Sequence, residues 1–198
     1  MSVLAAEGVR YSYGKGAPVL DGVSLRVESG QRVALSAPSG TGKTTLARVL
    51  AGYLAPDEGR VTIDGRPLPR RGVCPVQMIW QHPEAAVDPR MRLGRTLAEA
   101  GPVDRALVDG LGIRDEWMDR FPHELSGGEL QRFCIARALA AEPRFVIADE
   151  MSTMLDALTQ AQIWRFLMDE VERREVGLVF VSHSPALTER IATDIVEL

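Results

Sequence analysis

Within "SAPSGTGKTT", residues 36 to 45, two glycines, a lysine and paired threonines stand at a spacing suited to a polyphosphate. Triphosphate oxygens are well solvated by water. A protein competes by aiming backbone N–H groups inward from a tight turn that opens a helix, whose N-terminus adds partial positive charge. Gly40 and Gly42 let the backbone approach without a Cβ in the way. Lys43 can reach the β- and γ-phosphates, and the Thr44 hydroxyl can ligate Mg²⁺. Ser39, Thr41 and Thr45 complete the loop residues expected to touch the nucleotide. The pattern G-x-x-x-x-G-K-[ST] expects glycine where this chain has Ala37. A methyl there is a small burden if its φ is negative. On either side, "RVALS" reads as a buried strand and "TTLARVLAGYL" as a helix closed near Gly52, which a chance match on a surface turn would not have.

Two more stretches carry chemistry. In "RFVIADE", residues 144 to 150, an apolar run describes a strand buried on both faces and ending in two carboxylates. Carboxylates at the C-terminal end of a parallel strand lie in the ligand crevice of such sheets. Asp149 is placed to hold the Mg²⁺ shell that Thr44 also touches, and Glu150 to orient or deprotonate the water that attacks the γ-phosphate. In "LSGGELQRFCIARAL", residues 125 to 139, Ser126, Gly127 and Gly128 open a helix, with Ser126 as N-cap. That is a second anion-binding helix end. One nucleotide does not need two cradles, which hints at a site shared between two chains.

The elements that must hold these residues can be read from texture. The 198 residues suit one domain, or one domain with an inserted subdomain. Hydrophobic residues at 45% and charged residues at 25% are ordinary for a globular chain, and a net charge of −4 argues against nonspecific nucleic-acid binding. Cys74 and Cys134 stand apart with no C-x-x-C pair, so a reduced setting and packing roles are expected. No signal peptide is seen, nor an apolar run that could span a bilayer. Residues 1 to about 36 alternate short apolar runs with glycine turns and read as antiparallel β, a texture that "EGRVTIDGRPL" continues. From Met91 to Glu124 the pattern turns helical, punctuated by glycines. The last third alternates helix and strand ("QRFCIARALAAEP", "RFVIADE", "TQAQIWRFLMDEVERRE", "GLVFVSHS"), which implies a parallel sheet wrapped by helices.

Taken together, these strings strongly resemble the ATP-binding subunit of ABC transporters over nearly the whole chain. The resemblance implies an α/β fold: a P-loop NTPase core with a parallel sheet, an N-terminal antiparallel β subdomain and a short inserted helical subdomain. It implies a single domain, residues 1–198. About 1–85 and 130–198 would form the core with the β subdomain, and about 86–129 the helical subdomain carrying the signature motif. Tyr13 takes the place of the aromatic that stacks on adenine. Gln81 matches the glutamine that touches Mg²⁺ and faces the membrane subunit. The Ser126, Gly127 and Gly128 cradle would press on the γ-phosphate of the partner's ATP, with Glu129 where glutamine is usual. "STMLD" resembles the D-loop and ends in Asp156; Met151 replaces the usual proline. His183 matches the switch histidine at the γ-phosphate, which with Glu150 and Gln81 makes the catalytic set.

Within the family, "QHPEAAVDPRM", "RFPHELSGGELQR" and "MLDALTQAQIW" look most like subunits serving dipeptide, oligopeptide and nickel importers. The segment from Gln81 to Ser126 is short for them, and the chain stops at "DIVEL" without the further strands usual there. The resemblance therefore implies an active ATPase using ATP and Mg²⁺ at the cytoplasmic face of the inner membrane. Its partners would be a second ATPase subunit, identical or different, transmembrane permease subunits and, indirectly, a solute-binding protein, with no nucleic acid. Two other classes compete. Soluble ABC-type ATPases of DNA repair or chromosome maintenance carry long insertions that this chain lacks. An ATP-sensing module without turnover would not need Glu150 and His183.

Overall fold

A computed structural model describes residues 1–38 and 40–198; Ser39 lies outside the described residues. The described residues form two sheets. Strands β1 (Val3–Tyr11), β2 (Leu20–Glu28), β4 (Glu58–Ile63) and β5 (Arg66–Pro67) make an antiparallel sheet of order β2-β1-β4-β5. Strands β3 (Arg32–Ser36), β6 (Val76–Ile79), β7 (Phe145–Asp149), β8 (Gly177–Val181) and β9 (Asp194–Glu197) make a parallel sheet of order β6-β7-β8-β3-β9. Here one expectation is corrected. Residues up to 36 read as antiparallel β, yet β3 joins the parallel sheet, pairing with β8 and β9. Its Val33, Ala34 and Leu35 are all buried, and a strand covered on both faces belongs inside a helix-wrapped sheet.

Period-two alternation divides the core into two layers. From β7, Phe145 and Ile147 face one cluster with Leu4, Val27, Leu46 and Leu50, between the antiparallel sheet and helix α1 (Lys43–Leu50). Val146 and Ala148 face the opposite cluster with Phe133, Leu139, Trp164 and Leu167, under helices α4 (Gly127–Ala140) and α5 (Ala157–Arg173). Strand β8 splits the same way, Val179 and Val181 to one side, Leu178 and Phe180 to the other. Cys134 packs in the second layer, and burial pushes its thiol up to about 12, so it is an inert packing group at neutral pH.

The stretch from Met91 to Glu124, helical in texture, holds α2 (Leu93–Ala98) and α3 (Arg105–Gly110), six residues each, followed by two short 3₁₀ segments. Its glycines break the run before longer helices can form. The closing residues gain a role the sequence did not announce: β9 comes after α6 (Pro185–Ile191) and pairs in parallel with β3 from Val33↔Asp194 to Ser36↔Glu197. Among the described residues no helix is long and apolar enough to cross a membrane.

Candidate functional site

The loop from β3 to α1 is shaped by its glycines. Gly40 and Gly42 have φ of 84° and 99°, which L side chains rarely adopt. At Gly42 a Cβ would also lie 3.0 Å from the Val19 carbonyl oxygen and from the Val19 and Leu20 side chains. Ala37 is not among the non-glycine residues with positive φ, so the departure from the glycine pattern costs the backbone little. Lys43, buried at the head of α1, donates from Nζ to the carbonyl oxygens of Ala37 (2.7 Å) and Pro38 (2.9 Å). Thr41 donates its hydroxyl to the same Pro38 oxygen. The Tyr13 hydroxyl lies 3.4 Å from Thr45 Oγ1, and the residue is 54% exposed beside the loop. Tyr13, Gly40, Lys43, Thr44, Thr45 and Glu150 line a cavity of about 360 Å³ together with Val19 and Gly42.

The carboxylates arrive from the strand ends. Strands β6, β7 and β8 run parallel and in register, Ile79 beside Ala148 and Asp149 beside Val181, so the residues just past each strand emerge at one edge. Asp149 Oδ1 accepts from the Thr44 hydroxyl at 3.2 Å. Burial raises its pKa above the ordinary aspartate value, and the Thr44 bond opposes that rise. Glu150 has φ 47°, a left-handed conformation that a non-glycine residue holds only under constraint from its surroundings. Both oxygens of its carboxylate are engaged: Oε2 accepts from Gln81 Nε2 at 3.0 Å, and Oε1 lies 2.7 Å from His183 Nε2.

The second cradle is built elsewhere. Ser126 caps α4 by accepting from Glu129 N, while Glu129 Oε2 accepts from Ser126 N (2.8 Å) and from the Ser126 hydroxyl (2.9 Å). This reciprocal pairing turns Glu129 back on its own helix, and the backbone bond holds its carboxyl below the usual range. Asp156 caps α5, accepting from Leu158 N and Thr159 N at 3.0 Å each. Ser126, Gly127, Gly128, Glu129 and Asp156 line a cavity of about 580 Å³ that shares no residue with the first.

The described candidates therefore fall into two groups within one chain. One is Tyr13, the loop, Gln81, Asp149, Glu150 and His183; the other is Ser126 to Glu129 with Asp156. Two features were not anticipated from the sequence. Gln131 Nε2 donates to the Trp80 carbonyl oxygen (3.1 Å), tying α4 to the residue before Gln81. Buried Ser152 takes bonds from Gln160 and Trp164, whose i, i+4 spacing on α5 was the available signal.

Residues 20–153, more than half the chain, match the family profile described as ABC transporter, a span that takes in both the loop and the acidic strand end. Among curated proteins, the chain is 38% identical over 201 residues to the nickel import ATP-binding protein NikE of Rhodospirillum rubrum, covering 91% of this chain and 72% of that protein. It is 34% identical over 195 residues to the di/tripeptide transport ATP-binding protein DppF of Pseudomonas aeruginosa, covering 89% of this chain but only 60% of that one. Among solved structures, its fold superposes on the dimeric post-hydrolysis state of the ATP-binding cassette MJ0796 bound to ADP and Pi. That match has a TM-score of 0.84 at 23% identity and covers 98% of this chain and 94% of that one. With a profile match that spans the phosphate loop, and with relatives such as these named as ATP-binding proteins, the chain belongs to the ABC transporter family, as an ATP-binding and ATP-hydrolysing subunit.

Proposed function

We propose that this subunit powers solute import, with residues of its parallel-sheet edge carrying out hydrolysis and a second ATPase subunit completing each site. The observation that carries the reading is the convergence of Lys43, the Thr44–Asp149 pair and the Gln81–Glu150–His183 cluster on one edge. Lys43 exchanges its two loop carbonyls for the β- and γ-phosphates, trading neutral acceptors for charged ones. The Thr44 hydroxyl and the Asp149 carboxylate, already in contact, form an oxygen pair that fits a hard divalent cation, with Gln81 as a further ligand. Mg²⁺ held there supplies charge neutralisation on the phosphate oxygens. Glu150, released by Gln81 and His183, orients the attacking water or takes its proton, and His183 turns to the γ-phosphate. Tyr13 stacks on adenine.

In this reading the core comprises about residues 1–85 and 130–198, and about 86–129 form a helical subdomain. The cradle at Ser126, Gly127 and Gly128 serves the partner's ATP, which is supported by its lying in a separate cavity from Lys43. Relatives named for nickel and for peptide import support a solute of one of those classes, passed through transmembrane permeases and delivered by a solute-binding protein. The subunit then works as a peripheral protein on the cytoplasmic face of the membrane.

Glu150→Gln tests the core of this reading. The variant should bind ATP but hydrolyse it at least ~10²-fold more slowly, the usual effect of losing a general base. Because the closed state then persists, ATP should drive a stable dimer visible by light scattering. Turnover close to wild type would assign water activation to another group.

A further inference from the structure

We propose that Ser152 is a positioning residue for hydrolysis, its buried hydroxyl latching the loop between Glu150 and Asp156 onto helix α5. The inference rests on the reading of Glu150 as the group that handles the attacking water. Ser152 is only 6% exposed, and its Oγ accepts from Trp164 Nε1 and from Gln160 Nε2, both at 3.0 Å. The two donors stand one helical turn apart and converge on this one oxygen. Trp164 is itself fixed: it is 4% exposed and meets the Phe180 ring edge-on at 5.5 Å between centroids. Phe180 lies on β8, the strand that leads to His183.

The loop that this hydroxyl holds is short and closely tied to both cavities. Thr153 donates to the Glu150 carbonyl oxygen from its N–H (3.2 Å) and its hydroxyl (3.0 Å), and Leu155 N donates to the Ser152 carbonyl oxygen (3.1 Å). A displacement at Ser152 is therefore passed directly to Glu150, whose left-handed backbone depends on its surroundings. At the other end Leu155 packs against Gly128, where a Cβ would lie 3.2 Å from Leu155 Cδ2, and Asp156 opens α5. One hydroxyl thus sets the loop that joins the water-handling carboxylate to the signature helix. Misplacing a general base by a fraction of an ångström slows chemistry without weakening substrate binding.

The test is hydrolysis by the full chain, at concentrations that permit dimerisation, for Ser152→Ala, Trp164→Phe, the double variant and the conservative Ser152→Thr. Ser152→Ala should lower kcat about 10-fold with the KM for ATP within about 2-fold of wild type. Trp164→Phe should do the same in part. The double variant should be no slower than the slower single one, as expected of groups acting through one contact. Ser152→Thr, which keeps the hydroxyl, should recover most of the rate. Thermal unfolding of each variant is followed alongside; a rate loss that merely tracks the unfolded fraction would overturn the proposal. So would turnover of Ser152→Ala within about 2-fold of wild type, or losses that add fully in the double variant. If Ser152→Ala does not fold, Trp164→Phe alone decides by the same split of kcat from KM. Glu150→Gln separates the two readings. Normal turnover in that variant removes the role of Glu150, whereas a dead Glu150→Gln beside a normal Ser152→Ala removes only the latch.

Discussion

Lys43 shows how much of the site is set by a single side chain. Lys43 is buried at the start of α1 and bonds two carbonyl oxygens of its own loop, the contacts that the proposed function has it exchange for phosphate. Lys43→Ala removes a charge-assisted contact worth about 1.5–3 kcal/mol per bond, so ATP affinity should fall roughly 10²-fold or more and steady-state turnover should vanish. Titration with a fluorescent ATP analogue measures this; affinity equal to wild type would place the nucleotide elsewhere. Residue types and spacing were enough to single out Lys43, Thr44, Asp149 and Glu150. They could not show that Glu150 sits at φ 47° with Gln81 and His183 on its two oxygens, because those three come from separate strand ends.

Elements obey alternation more faithfully than texture. The runs in β3, β7 and β8 were legible as strands, but the assignment of β3 to the antiparallel region failed. Its apolar letters suit either sheet, and only its neighbours β8 and β9 decide. Gly177, at the start of β8, shows how closely the two sheets approach. A Cβ there would lie 2.5 Å from Phe145 Cδ1 and 2.9 Å from the Glu28 carbonyl oxygen of β2. Gly177→Ala should therefore destabilise the chain by about 1–3 kcal/mol, the usual effect of overpacking a filled core. A lowered denaturant midpoint would show it; an unchanged midpoint would mean that the sheets separate more easily than their packing implies. Nothing in the letters around Gly177 announces this, since the clash is with residues far away in the chain.

For the whole molecule, the important fact is that one chain carries two cavities with no lining residue in common among the described residues, each proposed to meet phosphate. A mixed dimer tests whether they meet across an interface. Lys43→Ala damages one cavity. Gly127→Asp damages the other cleanly, because a Cβ at Gly127 meets nothing within 4 Å, whereas at Gly128 it would press on Leu155. Each variant alone should be inactive. Mixed, they should recover single-turnover hydrolysis, since one site of the mixed dimer collects both defects and the other has none. No recovery, with mixed dimers shown to form by differential tagging, would confine each cavity to its own chain's chemistry.

The motifs proposed to carry the chemistry are local, and so the candidates could be read from the sequence. A glycine loop ahead of a helix, an apolar strand ending in Asp149 and Glu150, and a Ser126 cap with glycines after it each depend on residues within one turn or strand. What needed the folded chain was anything that depends on parallel neighbours. The order β6-β7-β8-β3-β9 brings Gln81, Glu150 and His183 to one edge and makes β9 out of the closing residues. Parallel strands are joined through long crossovers, so their pairing is written in packing between distant segments rather than in the letters of any one of them.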